Sequence, residues 1–208
     1  MCFNAPVSIF IGVVGMVAVY VLQAKGENYY AAVFAPVCAM QFVEAIVHLQ
    51  VLKPLHSTKL IWVLILLIQP LVISWARLYA WNECSETETR IIQILLAIHL
   101  VAAVEFVSSN DFVPTEKQCA KWFCKLHWGG RKGGVYVPYI TYWCLLLMCL
   151  NVHDNRMPVN LASGFTLLAA LCKILLNLAM FETELNWWGS LWCLQCALTA
   201  PFIAWYIR

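Results

Sequence analysis

The residues able to do chemistry in this chain are few, and most sit inside long apolar runs. Gln41, Glu44 and His48 recur at i, i+3 and i+7, which puts all three on one helical face. Gln69 precedes Pro70, His99 and Glu105 share a later run, and Lys173 and Asn177 lie four apart near the end. An ionisable group at membrane depth costs roughly 2.5–3.5 kcal/mol on insertion scales, so its placement points to a proton relay, an ion path or a structural pair. A carboxylate such as Glu44, with His48, Gln69, Glu105 and Lys173 around it, suits reversible binding of a proton or small cation.

Each of these residues also has a plainer role open to it. Glu44 and Lys173 can neutralise one another and fix how two helices pack. His99, alone on an apolar helix, reads as a hydrogen-bonded packing residue. Glu105 can snorkel to the interface. Gln69 is placed to answer backbone groups that Pro70 leaves unpaired.

The remaining constellations are weaker. Cys119, Cys124 and His127 form a C-x4-C-x2-H pattern, short of the four closely spaced ligands of a structural zinc site. No G-x-S-x-G or H-E-x-x-H signature is present, and no cofactor is called for. Trp187, Trp188 and Trp192 read as an interfacial aromatic belt.

Positioning these groups requires elements that the composition dictates. Of 208 residues, 62% are hydrophobic and 12% charged, and the mean hydropathy is +0.75. Soluble domains run at about 45–50% apolar and about 25% charged. The chain therefore reads as a single all-α domain, residues 1–208, that crosses a bilayer about seven times. The spans fall roughly at 5–23, 30–52, 60–80, 91–108, 135–151, 158–180 and 187–207. The fifth is short and contains Pro138. Run lengths of this size exclude barrel strands of about 9–11 residues. The first 22 residues carry no Lys or Arg, so the first run reads as a retained helix. A net charge of +2 without a basic stripe argues against nucleic acid. Most of the ten cysteines lie in apolar runs as small hydrophobes.

Seven crossings put the N-terminus and the second, fourth and sixth loops on one face, side A. That side carries Lys53, Lys59, Lys117, Lys121, Lys125, Arg131 and Lys132, against Lys25, Arg77, Arg90, Arg156 and Arg208 on side B. The bias makes side A, with the N-terminus, cytoplasmic. The segment 108–134 interleaves basic residues with Trp122, Phe123 and Trp128, as suits a loop lying among anionic headgroups. On this topology Glu44 and Lys173 lie about 10–12 Å below the side A surface. The ionisable groups then gather in that half of the membrane. No internal repeat supports a repeat-built carrier. A retinal protein is excluded because Lys173 falls in the sixth span and the seventh has no lysine.

Four short motifs carry a family likeness. Met1-Cys2-Phe3-Asn4-Ala5 resembles an M-C-W-[SN]-A opening, and Trp188-Gly189-Ser190-Leu191-Trp192-Cys193 resembles a late W-G-S-x-W-C motif. Gln41-Phe42-Val43-Glu44 and Gln69-Pro70 resemble internal pairs of the same family. It comprises small polytopic membrane proteins of large DNA viruses, algae and other protists, and has no established activity. Phe3 stands where the family has tryptophan, and the long loop is not covered. The resemblance implies architecture, and with the topology it implies a side A cavity. Cys2, Asn4, Gln41, Asn177, Ser190 and Cys193 would line it.

The expectation is a proton or small-cation channel or transporter centred on Glu44. The alternatives are a metal-binding protein or enzyme using Cys2 and Cys193, or a structural subunit of a membrane complex. Non-enzymatic readings are favoured. The partners expected are membrane lipids and further copies of the chain or of a larger membrane assembly.

Overall fold

The computed structural model describes residues 4–81, 83–109, 111–114, 116–119, 124–127, 137–157, 160–164, 166–167 and 199–207. Among the described residues, four helices are long and apolar enough to cross a membrane: Ala5–Ala24, Asn28–His48, Pro54–Ala80 and Glu86–Ser108. We label the first two α1 and α2, and the last α5. The third is composite: α3 (Pro54–Val63), a π-helical turn (Leu64–Ile68), α4 (Gln69–Trp75) and a second π turn (Ala76–Ala80). A shorter apolar helix, α6, covers Val137–Leu150. At 1.5 Å per residue it is about 21 Å long, less than the roughly 30 Å of a hydrocarbon core. Most of the expected sixth span (158–180) and of the seventh (187–207) lies outside the described residues.

α1 packs on α2 through small residues. Its buried face runs Ala5, Ser8, Gly12, Gly15, Ala18 and Leu22. A Cβ added at Gly12 would come within 3.0 Å of the Phe42 ring and 3.2 Å of the Gln41 Cβ. Small residues at such a crossing let two backbones approach closely, which is how helices attract one another in lipid.

The turns between helices are built from local capping. Asn4 Oδ1 accepts the Val7 N–H at 2.9 Å and opens α1. At the other end of α1, Gly26 takes φ +81. The Gly26 N–H then donates to the Gln23 carbonyl and the Glu27 N–H to the Leu22 carbonyl, both at 2.9 Å. α2 closes with the same pair of bonds, Gln50 N–H to Val47 and Val51 N–H to Ile46, but Gln50 holds the left-handed position at φ 54. The second span therefore ends at His48 and not at residue 52. Ser85 and Glu88 form a reciprocal capping box at the start of α5.

Two ends of the bundle can be distinguished. End A holds the start of α1, the end of α2, the start of α3 and the end of α5, corresponding to side A. End B holds the α1–α2 turn, residues 81–85 and the end of α6. There Tyr29 Oη donates to the Cys149 carbonyl at 2.8 Å, and Tyr30 Oη to Asp154 at 3.0 Å. Lys25 Nζ donates to the carbonyls of Ala204 and Ile207, both at 2.7 Å. That cation meets the negative end of the helix over 199–206, so the chain finishes at end B.

One part of the long loop differs from expectation. Glu116–Cys119 and Cys124–His127 pair as antiparallel strands, with Cys119 opposite Cys124 and Glu116 opposite His127. From the sequence the segment reads as an extended loop suited to the headgroup region. A four-residue connection instead lets it fold back and pair its own backbone groups.

A non-glycine residue held at left-handed φ costs about 1–2 kcal/mol. Gln50→Gly is therefore expected to raise stability by about 1 kcal/mol in thermal unfolding of the detergent-solubilised chain, and Gln50→Val to lower it.

Candidate functional site

α2 supplies the central face. Gln41, Glu44 and His48 are all buried, and Glu44 is 0% exposed, so the helical spacing does turn the three residues inward together. Their height is corrected by the early end of α2. Glu44 lies four residues before His48, about 6 Å along the axis from the helix terminus and not 10–12 Å below it. Neither Glu44 nor His48 is without a partner. The Gln41 amide nitrogen has no hydrogen-bond partner among the described residues.

Gln69 does not take the role expected of it, and His99 takes that role in addition to its own. Pro70 has no N–H, so the carbonyl of Leu66, four residues earlier, loses its helical donor. Gln69 does not answer it. Its Oε1 accepts the Tyr142 hydroxyl at 3.0 Å. His99 Nε2, reaching across from α5, lies 2.7 Å from the Leu66 oxygen. Since a carbonyl can only accept, Nε2 carries a proton, and Nδ1 lies 2.8 Å from the Thr141 hydroxyl. Thr141 also sits 2.9 Å from the Val137 carbonyl of its own helix. One imidazole thus ties the proline-broken span to α5 and α6 near mid-height. The packing role expected of His99 holds, with a specific carbonyl as its reason. Gln69 was misassigned because its amide is directed to α6 and not back along its own helix.

Glu105 and Asn4 do not join the buried set. Glu105 lies on the exposed side of α5, whose buried face is Ile92, His99, Ala103 and Phe106. Asn4 is exposed and spends its side chain as the α1 cap. Cys2, Lys173, Asn177, Ser190 and Cys193 lie outside the described residues, as does the tryptophan cluster.

Arg77 is the residue that sequence reasoning overlooked. It was counted among the flanking charges of side B, yet it is only 3% exposed, three residues before the end of its span. Its one polar contact among the described residues is Nη2 to Glu88 Oε1 at 3.5 Å, while Nε and Nη1 have none. The signal was its position inside the apolar run 60–80. Polar groups consequently occupy the whole height of the interior: Glu44 near end A, Gln69 and His99 midway, Arg77 near end B. They are not confined to the side A half.

Outside the helices, Asp154 anchors end B. Arg156 donates to it from Nε and from Nη2, the latter at 2.7 Å, and bridges to Glu27, one oxygen lying 3.1 Å from Nη2. The Arg156 guanidinium holds the Asp154 carboxyl down from 3.8 to about 2, and the two carboxylates raise Arg156 in turn. A depressed carboxyl contributes stability that is complete above its unfolded value and lost as pH falls through the folded one. The Asp154 contribution is therefore expected to fade between about pH 4 and pH 2. Asp154→Asn should lower the thermal midpoint at neutral pH and make no difference at the bottom of that window.

Removing the imidazole should leave the Leu66 carbonyl unanswered in an apolar interior. His99→Leu is expected to cost about 1–3 kcal/mol in equilibrium unfolding. An unchanged stability would mean that another donor serves that carbonyl.

Compared with known proteins, no family model, no curated protein and no solved structure matches the chain.

Proposed function

We propose that this chain is a multi-pass membrane protein that conducts or transports protons or small cations, with Glu44 as the principal binding group. The observation that carries the reading is a fully buried carboxylate in an apolar bundle, one turn from a buried imidazole on the same face. Gln41, one turn further inward, brings an amide to the same line. A carboxylate in such a position binds a cation or proton when water reaches it from one end, and its proximity to end A makes that end the entrance. His48, on the same face, and Gln69, midway along the interior, are the buried polar groups that accompany it in this reading.

The reading includes seven crossings. It is supported by α1 beginning at end A while the helix over 199–206 ends beside Lys25 at end B, an arrangement that suits an odd number of crossings. α6 ends at end B, and Leu161 N–H returns to the Val152 carbonyl, so residues beyond 160 start there too. Side A is taken as cytoplasmic, the assembly as several copies of the chain, and the relatives as the small polytopic proteins that its end motifs resemble.

Glu44→Gln is expected to abolish proton or cation flux in reconstituted vesicles while the protein still inserts and stays folded. Undiminished flux overturns the reading and leaves Glu44 as a packing group.

A further inference from the structure

Arg77 is a buried guanidinium whose hydrogen-bonding capacity is largely unused. A guanidinium carries five N–H donors in a planar fork matched to carboxylate and phosphate oxygens. Charge-assisted bonds from such a group run at about 2.7–2.9 Å. Among the described residues its one acceptor, Glu88 Oε1, stands off at 3.5 Å. The reason is visible in the turn before α5. The other Glu88 oxygen is bound by the Ser85 hydroxyl at 2.8 Å and the Ser85 N–H at 2.9 Å, so the capping box holds the carboxylate back. Nε and Nη1 are buried without a partner among the described residues. A desolvated, half-answered cation is costly to keep, and a second acceptor would remove the cost.

The surroundings indicate which acceptor. Trp75 and Tyr79, two residues to either side of Arg77, are exposed on the outside of the bundle, where amphipathic rings mark headgroup depth. A belt of such rings on either side of Arg77 suits a guanidinium at headgroup depth. Glu88 itself is 42% exposed and still touches Nη2, so the guanidinium can be reached from the end B surface. We propose that Arg77 is a phosphate-binding site at end B. The incoming oxygens take the place of Glu88 Oε1 and engage Nε and Nη1, and Glu88 acts as a tethered competitor. This inference does not rest on the role given to Glu44, which lies near the opposite end.

The test uses the full chain in a phosphate-free maltoside detergent, with thermal unfolding as the readout. Phosphatidylglycerol in mixed micelles is one arm and inorganic phosphate the other, at matched ionic strength. At about a hundredfold excess over Kd, the bound ligand should raise the midpoint by about 5–10 °C. A rise with the lipid alone assigns a headgroup, and a rise with inorganic phosphate assigns a soluble anion. No rise in either arm overturns the proposal, as does an undiminished rise in Arg77→Gln. Should Arg77→Gln fail to fold, Glu88→Gln decides the matter. It removes the competitor and keeps the cation, so binding should tighten several-fold, and unchanged or weaker binding overturns the proposal.

Discussion

Inside an apolar bundle, a proline creates a debt that no water can settle. Pro70 frees the Leu66 carbonyl in the middle of a span, where an unanswered acceptor costs several kcal/mol in lipid. His99 answers it from α5, and Thr141 of α6 fixes the other ring nitrogen. Tyr142, next along α6, holds Gln69 of the broken span. Three elements are thereby locked at mid-height around one missing N–H. The two π turns in the same span adjust its backbone on either side of α4.

That lock determines what the ends of the bundle can do. With the centre fixed, the polar groups above and below it are presented in separate layers. Towards end A, α2 buries Gln41, Glu44 and His48, with Gln41 beside Gly12 of α1. Towards end B, Arg77 meets α5 only through Glu88, whose carboxylate is already engaged in a cap. An acid near one face and a base near the other give the interior a polarity along its axis. A bundle whose ionisable groups sat in one half would not have this.

End B is closed more firmly than end A among the described residues. Glu27, Asp154, Arg156 and Tyr30 join the α1–α2 turn to the segment after α6. Lys25 draws the last helix to the same point. Exposed ion pairs alone contribute little, but these hold partners more than a hundred positions apart and include a nearly buried carboxylate. End A is capped mainly by local bonds around Gln50 and Asn4, which suits the end from which Glu44 would be approached.

Helical apolar runs and the inward face shared by Gln41, Glu44 and His48 were both written in the sequence. Each depends on neighbours within two turns, where the period of a helix fixes geometry. The partner of the Leu66 carbonyl was not legible, because His99 lies 33 positions away and a glutamine stood beside the proline as the obvious donor. Nor was the end of α2 at His48, since glutamine carries no sign that it will adopt the left-handed conformation. Arg77 looked like an interfacial anchor because sequence gives depth along a helix but not the direction in which a side chain turns. Local periodicity decided which segments are helices. Packing between helices decided which polar groups they hide and which donors answer them.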